Sequence, residues 1–93
     1  MKPIYATADY RLSGTGYDDQ PYETTVHATL EKSGAFDYGN GTCMSLKWAD
    51  EPRAHWFDTR YCKVSAKNFT EFAKEEIEAR VLDTITVEVI KEV

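Results

Sequence analysis

Residues 42–62 constrain the fold most, because two alternating segments lie on either side of a polar, proline-containing turn. Side chains of a β-strand alternate between two faces, so a slip of one residue would exchange both faces. One antiparallel register gathers the apolar residues on one side of a hairpin. The predicted pairs are Trp48–Phe57, Leu46–Thr59 and Met44–Tyr61 on the apolar side, and Lys47–Asp58, Ser45–Arg60 and Cys43–Cys62 on the polar side.

Three further segments alternate in the same way and predict strands at residues 4–12, 22–32 and 84–91. Pairing Leu12 with Tyr22 continues the apolar face across the first two of these strands. Apolar residues at helical spacing predict a helix over residues 66–80, with Ser65 as its N-cap. The side chains that this helix is expected to bury are Phe69, Phe72 and Ile77.

The resulting element order is β-β-β-β-α-β, and 93 residues predict one domain over 1–93. The first four strands form a meander, and the helix returns the chain along the sheet, so the last strand can join antiparallel beside the first strand or parallel beside the fourth. Antiparallel pairs are commoner than parallel ones. The sequence therefore predicts an α+β fold: a single antiparallel sheet of order 5-1-2-3-4 with one helix packed on one face.

The chain is acidic, with 16 Asp and Glu against 11 Lys and Arg and a net charge of −5. Nucleic-acid backbones are bound by basic surfaces, so direct nucleic-acid binding is disfavoured. An acidic surface suits a basic protein partner, or simply keeps the protein soluble. Residues 1–9 lack the apolar core of a signal peptide, and no apolar run is long enough to cross a membrane. These features predict a cytoplasmic protein.

The first and third turns of a meander lie at the same end of the sheet. Their acidic residues are expected to be neighbours near the C-terminus of the helix: Asp18, Asp19, Asp50 and Glu51. Negative charge is unfavourable there, so the cluster is a candidate for binding a partner, with solubility as the simpler interpretation. Aromatic residues in or beside the loops are further candidates, although such residues also fold back onto a core: Tyr17, Phe36, Tyr38 and Trp56.

The outer face of the sheet carries the candidates for chemistry: His27, Lys47, Asp58 and Arg60. With Val26 beside Trp48, the first three of these fall in one row. A histidine beside a lysine and an aspartate could act as acid–base groups. A solvated polar face is the competing interpretation, because catalytic groups usually lie in clefts.

Cys43 and Cys62 are a candidate thiol pair. Residues opposite each other on an antiparallel pair have Cβ atoms about 4.5–5.5 Å apart, which is close to disulfide geometry. Thiols in the cytoplasm usually stay reduced, so two small reduced residues are the competing interpretation. The sequence has no metal-ligand spacing, phosphate loop or nucleophile motif, and we expect neither a metal nor another cofactor.

Residues 56–61, Trp56-Phe57-Asp58-Thr59-Arg60-Tyr61, are followed by Asn68-Phe69 and Phe72. This pattern resembles one in small proteins carried by conjugative transposons and phages of Gram-positive gut bacteria. The resemblance covers about a quarter of the chain. It implies an accessory protein of a mobile genetic element, and it carries over no functional residue.

These features predict a non-enzymatic accessory protein that binds a protein partner through its acidic turns or exposed aromatic residues. The alternative is a small enzyme or thiol-redox module that uses His27 and Asp58, or Cys43 and Cys62. A binding protein should present an open surface, whereas an enzyme should gather those polar groups in a concave pocket. An uncovered edge of the fourth or fifth strand also allows a homodimer.

Overall fold

A computed structural model describes residues 4–32, 42–59 and 64–92. It contains five strands and one α-helix: Ile4–Thr15 (β1), Pro21–Lys32 (β2), Thr42–Trp48 (β3), His55–Asp58 (β4), Phe69–Glu78 (α1) and Ile85–Glu92 (β5). The strands form one antiparallel sheet in the order β4-β3-β2-β1-β5. The predicted α+β class, strand order and single helix are confirmed. Within the described ranges, the helix is neither long nor apolar enough to cross a membrane.

One face of the sheet and the inner side of α1 form the core. Alternate residues of the strands point into it, and α1 contributes Phe69, Ala73 and Ile77, all fully buried. Phe72 is only partly buried at the margin of this cluster. Tyr10, beneath the helix, donates a hydrogen bond of 2.7 Å to the Thr70 carbonyl oxygen. Burial raises the pKa of its phenol well above the ordinary value, so the hydroxyl stays protonated and joins sheet to helix.

The register between β1 and β2 differs from the prediction by two residues, because Leu12 lies opposite Thr24 rather than Tyr22. The connection is shorter than expected: Asp18 and Asp19 both adopt left-handed backbone conformations, at φ 59° and 57°. Gly14 lies within the extended β1 and has a φ of 148°, a conformation that favours glycine. A Cβ at this position would also overlap the Thr84 carbonyl oxygen. A shift of two residues leaves the side chains from Ala6 onward on their predicted faces. At Ile4 the register changes again, and this residue lies opposite Glu31 and is 57% exposed.

The register between β3 and β4 differs by four residues. Thr59 lies at the start of β3, where its N–H donates to the Thr42 carbonyl oxygen at 3.2 Å and the two hydroxyls are 2.7 Å apart. The observed pairs are Met44–Phe57, Ser45–Trp56, Leu46–His55 and Cys43–Asp58. The predicted pairs of this hairpin are therefore wrong, although the faces are again preserved. The register between β3 and β2 is as predicted, since Trp48 lies beside Val26 and Lys47 beside His27.

The helix begins later than predicted. Ser65 is not its N-cap; Asn68 holds that position, and its side-chain oxygen accepts from the Ser65 N–H at 2.8 Å. Residues 66–68 form a turn before α1. At the other end, Arg80 pairs with Glu76 at 2.8 Å, one turn apart as favoured on a helix surface.

Candidate functional site

A pocket of about 280 Å³ opens at the end of the sheet where three connections meet. These connections join β1 to β2, β3 to β4, and α1 to β5. The pocket is concave, partly open to solvent, and both apolar and charged. Its lining residues are Gly16, Tyr17, Tyr22, Trp48, Asp50, Glu51, His55, Arg80, Val81, Leu82 and Ile85.

Trp48 provides a fixed aromatic wall. It is the last residue of β3 and lies on the inner face of the sheet, so the residue is only 7% exposed and belongs to the core. The His55 ring meets it edge-on, with centroids 5.2 Å apart and planes at 77°. Such a T-shaped contact is a favoured aromatic geometry. The pocket wall is thus an extension of the core rather than a loose surface group.

Asp50 and Glu51 bring two adjacent carboxylates to the pocket. The Tyr22 hydroxyl donates to Asp50 Oδ2 at 3.3 Å, and His55 Nε2 lies 2.8 Å from Glu51 Oε2. Burial raises the pKa of the Tyr22 phenol, and the nearby Asp50 carboxylate raises it further. Tyr22 therefore acts as a hydrogen-bond donor at neutral pH.

Lys47 holds the connection that carries these carboxylates. Its Nζ donates to the Trp48 carbonyl oxygen at 2.6 Å and also to the Glu51 carbonyl oxygen. The Glu51 N–H in turn donates to the Trp48 carbonyl oxygen at 3.2 Å. Lys47 therefore fixes the turn, and its ammonium does not complete an acid–base row with His27.

Arg80 supplies positive charge on the helix side of the pocket. Its guanidinium pairs with Glu76 and lies 4.4 Å from the centre of the Phe57 ring. The Glu76 carboxylate compensates this charge from outside the lining. With Asp50 and Glu51 facing the cavity, the pocket retains negative character.

Three of the predicted partner-binding residues meet in this pocket: Tyr17, Asp50 and Glu51. Asp18 and Asp19 lie in the same connection as Tyr17, but they are exposed and outside the lining. The first and third turns do lie at one end of the sheet, as predicted. Trp56 belongs elsewhere, since it is 61% exposed on the outer face of β4, opposite Ser45. Phe36 and Tyr38 lie outside the described residues.

The candidates for chemistry on the outer face are not brought together as predicted. His27 Nδ1 lies 2.6 Å from Asp9 Oδ1, in a row that also contains Lys47. Asp58 is not in that row, because the corrected register pairs it with Cys43. Arg60 lies outside the described residues.

The predicted pairing of Cys43 with Cys62 is not supported by the register. Cys43 is buried and lies opposite Asp58, and Cys62 lies outside the described residues. The thiol pair therefore stays a prediction without the geometric argument that suggested it. Within the described ranges, no three potential metal ligands are grouped closely enough to hold an ion.

Several pocket residues were not predicted from the sequence, notably Tyr22, Trp48, His55 and Arg80. One signal was present: Glu51 and His55 are four residues apart around a proline, a spacing that allows them to meet across a turn. The convergence of the helix end with the two hairpin ends was predicted from the topology, but the side chains of the helix end that line the pocket are known only from the three-dimensional arrangement. Comparisons with protein-family models, with curated proteins and with solved structures find no match.

Proposed function

We propose that the protein is a non-enzymatic binding protein, whose pocket and surrounding acidic rim hold a protein partner. The observation that carries this proposal is Tyr17, which is 80% exposed at the rim of a pocket whose wall is the buried Trp48. An exposed aromatic ring beside a fixed concave wall is typical of recognition surfaces, where a few aromatic anchors contribute most of the binding energy. An accessory role for a mobile genetic element, which the resemblance of residues 56–72 implies, is part of this proposal.

The electrostatic surroundings favour a basic partner. Two carboxylates face the pocket, Asp18 and Asp19 lie in the adjoining turn, and the chain as a whole carries a net charge of −5. Charge complementarity of this kind raises association rates and contributes to specificity. A small enzyme receives less support, because Asp58 lies apart from the His27 row and the Asp9–His27 pair lies on an open face.

The test is affinity capture from a bacterial host with the immobilised protein, followed by mass spectrometry of the retained proteins. We expect a reproducibly enriched basic protein, whose retention falls at high salt because screening weakens charge attraction. The Tyr17→Ala variant should no longer retain that protein. Tyr5→Ala is the matched control, since Tyr5 is also an exposed tyrosine but lies outside the pocket lining. Equal retention by both variants would contradict the proposal.

A further inference from the structure

We infer that the pocket receives an arginine side chain presented by the partner. This inference rests on the proposed function and specifies the group that is recognised. It is argued from the size of the pocket, its charge, and the arrangement of its aromatic and carboxylate groups.

The size of the pocket selects the ligand class. Sites for drug-sized molecules and cofactors usually occupy about 300–1,000 Å³. The pocket here, at about 280 Å³, is close to the lower limit of that range. It is large enough for one long side chain with part of its backbone. A single side chain from a macromolecular partner fits this volume best.

The charge of the pocket selects a cation. Asp50 and Glu51 face the cavity, while the positive charge of Arg80 is compensated by Glu76 at 2.8 Å. Each cavity carboxylate uses one oxygen in the bonds described above, Asp50 Oδ2 with Tyr22 and Glu51 Oε2 with His55. Among the described residues, no side chain or backbone N–H donates a hydrogen bond to Asp50 Oδ1 or Glu51 Oε1. Those two oxygens can accept from an incoming cation.

The aromatic lining favours a guanidinium over an ammonium. A guanidinium is planar, stacks on aromatic rings and donates along two edges, whereas an ammonium is a compact and strongly hydrated charge. The exposed Tyr17 ring can cover one face of the incoming group while the Trp48 wall contacts its aliphatic stem. One guanidinium of the protein itself is held by an aromatic ring and a carboxylate in this way, since Arg80 lies over Phe57 and pairs with Glu76.

The experiment is an NMR titration of the labelled full chain with N-acetyl-arginine amide. The neutral isostere N-acetyl-citrulline amide and the compact cation N-acetyl-lysine amide are the comparison probes. We expect the arginine probe to shift the signals of Tyr17, the Trp48 indole and Glu51. Its affinity should exceed that of the citrulline probe by roughly tenfold, since charge-assisted hydrogen bonds are lost with the neutral group. Weaker binding of the lysine probe is also expected.

Matched variants locate the interaction. Glu51→Gln should weaken arginine binding by roughly tenfold because it removes a charge that faces the pocket. Asp9→Asn, which alters a histidine-paired carboxylate on the outer face, should leave the affinity unchanged. Equal binding of the three probes, or equal effects of the two variants, would overturn the inference.

The failure of this inference can be distinguished from failure of the proposed function. If Tyr17→Ala abolishes partner capture but the arginine probe does not bind, the arginine assignment is wrong and the binding function stands. If Tyr17→Ala leaves capture unchanged, the binding function fails at this site whatever the probe does.

Discussion

Two histidine–carboxylate pairs in this protein have similar N···O distances but lie in different surroundings. His27 lies 2.6 Å from Asp9, and His55 lies 2.8 Å from Glu51. Their histidine side chains are 54% and 49% exposed, so exposure does not separate them. The first pair lies on the open outer face of the sheet. The second lies at the pocket, with His55 against the Trp48 ring.

The difference shows that a polar pair becomes a candidate site through what surrounds it. On the outer face, Asp9 and His27 have strand neighbours such as Lys91 and Lys47 and lie outside the pocket lining. At the pocket, the core extends to the surface through Trp48, and three separate connections enclose the space. A ligand there would lose water on several sides at once, which strengthens polar interactions.

The largest expected effect comes from comparing the two tryptophans. Trp48→Ala should lower the free energy of unfolding by about 3–5 kcal/mol, because it removes a core ring and the pocket wall together. Trp56→Ala should change it by less than about 0.5 kcal/mol, since its ring is mostly exposed on the outer face. Chemical denaturation followed by far-ultraviolet circular dichroism measures both without depending on tryptophan fluorescence.

Trp48→Phe provides a milder variant if the alanine variant does not fold. It should retain part of the packing and therefore lose less stability than Trp48→Ala. Similar losses for Trp48→Ala and Trp56→Ala would contradict the distinction between a core-backed pocket and an open face.

Faces and strand order were predictable from the sequence, whereas hairpin registers were not. The alternation of apolar residues placed Trp48 and Phe57 on the inner side, and the structure agrees. Register shifts of two and four residues conserve that alternation, so the pattern could not detect them. The register of β1 with β2 depends instead on left-handed backbone at Asp18 and Asp19, and that of β3 with β4 on the Thr42–Thr59 contacts.

The candidate site was predictable in location but not in composition. Meander topology places the first and third turns at one end of the sheet, which identified Asp50 and Glu51, whereas Tyr17 was identified as an aromatic residue in a loop. Arg80 enters the same site because α1 ends there, and its guanidinium lies over Phe57. Arg80 and Phe57 are far apart in the sequence and meet only through the packing of α1 on the sheet. No local spacing rule reports such a contact.

An intermediate effect is expected on the alkaline titration of Tyr22. Burial and then Asp50 raise the pKa of this phenol, so Asp50→Asn should lower the pKa while burial keeps it above the ordinary value. Asp9→Asn is the control and should leave the Tyr22 pKa unchanged. Measurement of the Tyr22 ring carbon by NMR across alkaline pH reports each value. An unchanged Tyr22 pKa in Asp50→Asn would show that the two groups do not interact.

The same shift predicts a direction for stability. A phenol whose pKa is higher in the folded protein than in the unfolded chain binds its proton more tightly when folded. Its stabilising contribution is therefore complete below pH about 10 and is lost as the pH rises through the folded-state value. As the pH rises through this alkaline range, the free energy of unfolding should fall less in the Tyr22→Phe variant than in the unsubstituted protein. A steeper loss in Tyr22→Phe would contradict the sign.

The smallest expected effect concerns the stability contributed by the two histidine–carboxylate pairs themselves. Asp9→Asn and Glu51→Gln should each change the free energy of unfolding by less than about 1 kcal/mol, because exposed polar and charged pairs contribute little to stability. Their effects on stability should therefore be similar in thermal or chemical denaturation. If Glu51→Gln were much the more destabilising, its carboxylate would serve mainly to hold the turn, and loss of arginine binding in that variant would have a structural cause. Equal, small effects on stability together with unequal effects on ligand binding would assign the pocket pair to recognition and the outer pair to the solvated surface.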